Sequence, residues 1–118
     1  MVGGLSYNVS MTAQLPQPVR QQLNLGAILH ALSDPVRRRI VKDLANDGGE
    51  RICRSFELGL TKSTMTYHFR ILREAGLIGQ RLEGTSRPCW LRREDLDARF
   101  PGLLDAILQA DAIDKRRR

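Results

Sequence analysis

The stretch from Leu60 to Gly76, LTKSTMTYHFRILREAG, constrains the fold more than any other, because it carries two helical stripes of opposite chemistry. Met65, Phe69 and Leu72 recur at i, i+4 and i+7, the spacing that lines one side of a helix and buries it. Lys62, Ser63, Thr66, Tyr67 and Arg70 fall on the other side, and Thr64 joins them as a further hydroxyl. Short hydroxyls, a phenol and two cations suit hydrogen bonding to base edges and phosphates. Both ends of the helix are marked. Thr61 can cap the start with its hydroxyl, and Gly76 suits the left-handed position that stops a helix. The expectation is a helix that lays Lys62, Ser63, Thr64, Thr66, Tyr67 and Arg70 against double-stranded DNA, with His68 on the packed side holding it in place.

The flanking patterns say what carries this helix. From Pro18 to about Ala31 the chain reads as helical, with one stripe of Val19, Leu23, Ala27 and Ala31 and a second of Leu25, Ile28, Leu29 and Leu32. A surface helix needs only one such stripe, so this one is expected to bury its second face against another subunit. Ser33-Asp34-Pro35 then spells a helix start, a capping side chain followed by a proline that presets the first turn. Val36, Ile40, Val41 and Leu44 mark the buried side of the helix to about Ala45. Arg37, Arg38 and Arg39 are left either to phosphates or to a solvated, salt-bridged face. Residues 50–58 read as a weak helix that buries Ile52, Phe56 and Leu58, with Gly59 as the break after it. Beyond Gly76, the runs 77–82 and 87–91 are strand-like and joined by Glu83-Gly84-Thr85-Ser86, as a hairpin requires. Arg81 and Arg87 flank its tip and are expected to reach a phosphate or a narrow minor groove. Pro88 lacks a ladder donor, so an open side is expected on the second strand there. Trp90 is expected in the core. The order helix, helix, helix, hairpin predicts a mainly α fold with a small β-hairpin, a winged helix-turn-helix.

Three motifs in order give this pattern a specific resemblance: Leu32-Ser33-Asp34-Pro35-x-Arg37, Ser63-Thr64-x-x-Tyr67-His68-Phe69-x-x-Leu72 and Glu74-Ala75-Gly76-Leu77-Ile78. Over roughly residues 25 to 92 the chain resembles the ArsR family of winged-helix transcriptional repressors. The resemblance implies a homodimer that binds an operator near its own or a neighbouring gene and releases it when a signal arrives. Many metal-sensing members carry a Cys-x-Cys pair where this chain reads Glu50-Arg51-Ile52-Cys53-Arg54-Ser55. With one cysteine there and two histidines in separate helices, no soft-metal site is expected and no cofactor is implied.

The remaining features bound the function. The 118 residues suffice for one core, and 19 Lys and Arg against 13 Asp and Glu give a formal charge of +6, which favours a polyanionic partner. Cys53 and Cys89 are too few for a disulfide framework and fit a reducing cytoplasm. They are inert core thiols or, if their sulfurs approach each other, a thiol-based sensor. No apolar run spans a bilayer, so no membrane association is expected. No arrangement of nucleophile and base, paired carboxylates or phosphate loop points to an enzyme. Residues 1–17 are expected to be a flexible arm, 18–111 the DNA-binding and dimerisation domain, and 112–118 a basic tail. Leu103, Leu104, Ile107 and Leu108 form an apolar face near the C-terminus that, with Leu23 and Ala27, is expected to make the dimer interface. A winged-helix protein-interaction module is the other reading of the same fold. It has no need of hydroxyls and cations on the exposed face of the third helix.

Overall fold

The structure, a computed structural model, describes residues 12–52, 56 and 58–116. In chain order they form strand β1 (Thr12–Gln14), a 3-10 turn (Arg20–Gln22), helices α1 (Leu25–Ala31) and α2 (Pro35–Asp47), strand β2 (Arg51–Ile52), helix α3 (Lys62–Glu74), strands β3 (Ile78–Glu83) and β4 (Pro88–Leu91), and helices α4 (Arg93–Arg99) and α5 (Leu103–Arg116). The strands make one antiparallel sheet in the order β1-β3-β4-β2. This is the winged helix-turn-helix expected from the sequence, with the β3–β4 hairpin as the wing.

Local chemistry sets the helix ends. Asp34 Oδ1 accepts from the amides of Val36 at 2.7 Å and Arg37 at 3.3 Å, while Pro35 fills the first turn of α2. Thr61 Oγ1 accepts from the Thr64 amide at 3.3 Å to start α3. At the far end of α3 the Leu77 amide returns to the Leu72 carbonyl and the Gly76 amide to that of Arg73, each at 3.0 Å. This paired closure needs Gly76 at φ 85°. A Cβ there would stand 2.1 Å from Leu23 Cδ2, so the glycine also lets the N-terminal segment pack under α3.

The core gathers Ile28 and Ala31 of α1, Ile40, Val41 and Leu44 of α2, Phe69 and Leu72 of α3, Leu77, Ile78 of β3, Leu96 of α4 and Leu104 of α5. Phe56 enters it edge-on to Phe69, with ring centroids 5.4 Å apart. Helix α5 is fastened to α2 by charge. Arg38 Nε donates to Asp111 Oδ1 at 2.6 Å and Arg38 Nη1 to the Leu32 carbonyl at 2.9 Å. Lys115 Nζ stands 3.2 Å from the other carboxylate oxygen of Asp111.

Several sequence expectations change. The first helix does not run from Pro18. Asn24 accepts from the Ala27 amide and starts α1 afresh, because asparagine gains more as a cap than inside a helix. Leu23 and Leu104, assigned to a dimer interface, are 2 % and 3 % exposed and fill the chain's own core, which a domain this small needs for itself. Val19, by contrast, is exposed. The weak helix expected over 50–58 begins instead as strand β2, which pairs Arg51 with Cys89 and Ile52 with Pro88. Residues 53–55 and 57 of that expectation lie outside the described residues, and Ile52 is exposed rather than buried. Strand β4 lies between β3 and β2, but at Pro88 it pairs with Ile52 of β2 only, since the register with β3 ends at Cys89, and the side towards β3 is the open one that the missing donor requires. The proline is tolerated as the first residue of its strand. The arm expected over 1–17 is not free along its whole length: Thr12–Gln14 adds a strand to β3, and residues 1–11 lie outside the described residues. Lys115, expected in a basic tail, belongs to α5, and residues 117–118 lie outside the described residues.

The Arg38 and Asp111 pair makes a stability prediction. Burial pushes the Asp111 carboxyl up, but the hydrogen bond from Arg38 and the ammonium of Lys115 outweigh it and hold the group below its ordinary 3.8. Since the folded value is the lower one, the contribution is complete above the unfolded value and is lost as pH falls through the folded value. Arg38→Ala should cost roughly 3 kcal/mol in urea unfolding near neutral pH, because it strips a buried carboxylate of its main partner. The gap to wild type should narrow in strong acid. A gap that does not change with pH would exclude Asp111 as the partner that matters.

Candidate nucleic-acid interface

Helix α3 meets the protein through one face and solvent through the other. His68, Phe69 and Leu72 are buried, whereas Lys62, Ser63, Thr66, Tyr67 and Arg70 are exposed, Tyr67 at 48 %. The Arg70 guanidinium lies 5.6 Å from the Tyr67 ring centre, one helical turn away, which keeps the cation extended along the exposed face. Thr64 stands apart from these five. It is half-buried, and its hydroxyl accepts from Thr61 Oγ1 at 2.9 Å, so it belongs to the cap of α3.

What holds the helix in place is a buried arginine. Arg37, 5 % exposed, donates from Nε to the Ala31 carbonyl at 2.7 Å and from Nη2 towards the His30 carbonyl at 3.5 Å. Its Nη1 stands 3.2 Å from His68 Nδ1. A guanidinium has no acceptor, so Nδ1 receives the bond and carries no proton of its own. One side chain thus joins the end of α1 to the middle of α3, and Arg37 is neither a phosphate ligand nor part of a solvated face. His68 holds the helix, as its place on the apolar stripe implies.

Between α3 and the wing runs a cleft of about 600 Å³. Its floor includes Phe56, Met65, Phe69 and Leu82. Lys62 and Thr66 line it from the helix, and Thr85, Ser86 and Arg87 from the hairpin tip. No carboxylate is among its described lining residues. Cations and hydroxyls on both walls of such a channel suit a phosphate strand passing between helix and wing. Thr85 and Ser86 line this cleft although the sequence reading did not single them out, and two hydroxyls at a hairpin tip ahead of an arginine are a legible signal.

The two wing arginines part company. Arg87 lines the cleft, together with Gln80 and Leu82 of β3. Arg81 lies between Gln80 and Leu82 in sequence and therefore points to the opposite face of the sheet. There it donates to both oxygens of Glu50, Nη1 to Oε2 at 2.6 Å and Nη2 to Oε1 at 3.1 Å, and from Nε to Glu83 Oε2 at 3.1 Å. Its guanidinium lies 5.7 Å from the Trp90 ring. The hydrogen bond from Arg81 holds Glu50 below the usual carboxylate range, and Glu50, then Glu83, push the guanidinium further up. Trp90 in turn covers Gly79, where a Cβ would come within 2.2 Å of the indole. Trp90 is half-buried beneath a cation rather than fully enclosed.

Of the remaining candidates, Cys89 is fully buried in β4, where a thiol is poorly placed to react, and Cys53 lies outside the described residues. Among the described residues no group of three His, Cys, Asp or Glu side chains converges as a metal site, and no helix is long and apolar enough to cross a membrane. Ala27 is exposed on α1, and Leu103, Ile107 and Leu108 of α5 are half-buried.

Arg37→Ala should lower unfolding free energy by roughly 3 kcal/mol, because it leaves a buried carbonyl and an imidazole without a partner. Arg37→Lys should recover little of this, since an ammonium cannot span the same acceptors. Wild-type urea midpoints in both variants would show that the bridge from α1 to α3 is dispensable.

Known proteins place the same segment in context. Residues 32–81 match a family described as a helix-turn-helix domain. An uncharacterized HTH-type transcriptional regulator of Bacillus subtilis (strain 168), YceK, is 34 % identical over 103 residues, covering 86 % of this chain and 98 % of that protein. Another, MJ1325 of Methanocaldococcus jannaschii, is 39 % identical over 59 residues, covering 49 % of this chain and 66 % of that protein. The match from the start of α2 into β3, and a relative aligned along nearly its whole length, place the chain in its family: it belongs to the HTH-type transcriptional regulators.

Proposed function

We propose that the protein is a sequence-specific, double-stranded-DNA-binding transcriptional regulator of the ArsR type, a repressor that binds an inverted-repeat operator as a homodimer in the cytoplasm. The observation that carries this reading is the exposed face of α3, where Lys62, Ser63, Thr66, Tyr67 and Arg70 stand beside a cleft lined with cations and hydroxyls. Ser63, Thr66, Tyr67 and Arg70 lie in the major groove, and Lys62 meets a phosphate near the positive end of the helix. Arg87, Thr85 and Ser86 take the neighbouring backbone. A protein-interaction module would leave this concentration of hydrogen-bonding groups without a purpose.

Dimerisation rests on the apolar residues that the monomer leaves uncovered. Leu25 and Leu29 of α1 are 44 % and 47 % exposed, Ala27 is exposed on another side of the same helix, and Ile113 of α5 is 48 % exposed. Together with the half-buried Leu103, Ile107 and Leu108 they form the surface we assign to the partner subunit. Leu23 and Leu104 take no part in it. Two-fold symmetry then sets half-sites about 34 to 36 Å apart, one turn of DNA, or a multiple of that.

Binding of Ser63→Ala, Tyr67→Ala and Arg70→Ala to a palindromic duplex selected by the wild type, compared with scrambled duplex across a salt series, tests the helix. A lost base contact should cost about 1 to 3 kcal/mol on the palindrome and relax preference at one position. A lost phosphate contact should weaken both duplexes alike and flatten the salt slope by about one unit. Wild-type affinity in all three would remove α3 from the groove.

Sedimentation at micromolar concentration should give twice the 13.3 kDa chain mass. Leu29→Glu should shift the protein to monomer, because it places a carboxylate in an apolar interface without disturbing the monomer core. A wild type that sediments only as a single chain would defeat the dimer.

A further inference from the structure

The acidic cluster on the wing stands in the wrong place for a protein that binds a polyanion. Glu50 and Glu83, each about half exposed, lie at the root and tip of the wing, and ordinary electrostatics makes such carboxylates a hindrance to DNA binding. Their geometry points the other way. Arg81 takes both oxygens of Glu50 in a two-pronged contact and one of Glu83, so its Nε, Nη1 and Nη2 are all engaged by carboxylate. The contact also has reach. Glu50 directly precedes β2 and Arg81 sits on β3, so the pair crosses over β4 and closes on the face of Trp90. Among the described residues strand β2 pairs with the sheet through Arg51 and Ile52, a short edge next to the segment that leads to α3.

We propose that Arg81 is a positioning residue and not a phosphate ligand: its contact with Glu50 ties β2 to the wing across Trp90 and sets the angle at which the hairpin tip meets DNA. Glu50 is then required for DNA binding although its charge repels DNA. This deepens the function proposed above and rests on it. Single exposed ion pairs contribute little to stability, and the value of this one lies in geometry: a planar fork fixes orientation where a point charge does not.

The proposal reverses the sign of a simple experiment. With the wild type's selected palindrome as probe, Glu50→Gln should weaken binding several-fold, whereas a repelling carboxylate of no structural use would give tighter binding when neutralised. Arg81→Gln should weaken binding by a similar factor, and the double variant should be no worse than either single one. The salt slope should stay at the wild-type value in all three, since no phosphate contact is lost. Arg81→Lys should behave like Arg81→Gln, because lysine keeps the charge but not the fork. Tighter binding by Glu50→Gln, a salt slope lowered by about one unit in Arg81→Gln, or full affinity in Arg81→Lys would each overturn the assignment.

A readout without DNA separates this claim from the function it rests on. Trp90 is the chain's one tryptophan and lies beneath the Arg81 guanidinium. Its emission and its quenching by acrylamide should change in Glu50→Gln as in Arg81→Gln. An unchanged Trp90 signal in Glu50→Gln would remove the brace itself. A wild type that selects no duplex, while Trp90 still responds, would overturn DNA binding and the brace's role in it but leave the contact intact.

Discussion

A buried guanidinium has to be satisfied where it lies, and Arg37 meets that demand by drawing three elements to one point. Its Nε and Nη2 reach the carbonyls at the end of α1, its Nη1 reaches His68 on α3, and its own backbone belongs to the capped first turn of α2. Leaving any of these partners unpaired in the interior costs more than the bond itself contributes. The position of α3 relative to α1 and α2 is therefore set by hydrogen bonding as well as by the fit of Phe69 and Leu72 into the core. The exposed face of α3 inherits that orientation, because the residues that face outward are fixed once those that face inward are held.

The sheet divides its labour in the same manner. Along β3, Gln80 and Leu82 turn towards α3 and line the cleft, while Gly79, Arg81 and Glu83 turn away. Gln80 is almost fully enclosed, its amide oxygen receiving Arg73 Nη1 at 2.7 Å and its backbone N–H reaching Gln17 Oε1 at 3.1 Å. Arg73 Nε also reaches the Pro16 carbonyl, so the segment after β1 is laced to both α3 and the wing. The N-terminal strand is thus a working part of the wing rather than an appendage.

Net charge describes this protein less well than the distribution of its charges. Arg20 and Arg92 share Asp95, whose carboxyl the Arg20 hydrogen bond holds below its usual range. Arg38 and Lys115 share Asp111, Arg93 meets Asp97 and Asp105, and Arg51 meets Asp47. Much of the basic excess is spent in holding elements together. Lys62, Arg70 and Arg87 stand at the helix face and the cleft, and it is their placement rather than the total of +6 that recommends a phosphate backbone as the partner.

Periodicity and end chemistry determined a good deal without any structure. The extent of α3, its cap at Thr61, its stop at Gly76, its outward face, the start of α2 at Asp34-Pro35 and the hairpin all follow from residue spacing and from side chains acting on their own backbone. Two further facts are legible in the spacing: Arg37 falls on the i, i+3, i+4, i+7 stripe of Ile40, Val41 and Leu44, and strand alternation separates Arg81 from Leu82. Other features depended on partners far along the chain, which local pattern cannot supply. Thr12–Gln14 becomes a strand because β3 offers it an edge, Arg51–Ile52 because β4 does, and neither segment has a period of its own. Leu23 and Leu104 read as surplus apolar surface, whereas tertiary packing places Leu23 against Gly76 and Leu104 beside Ile28, Leu32, Leu77 and Leu96. Glu50 became the partner of Arg81 only when β2 folded back across β4. Sequence spacing thus fixes which faces a helix or strand possesses, whereas what each face meets is decided by contacts whose separation in sequence leaves no local trace.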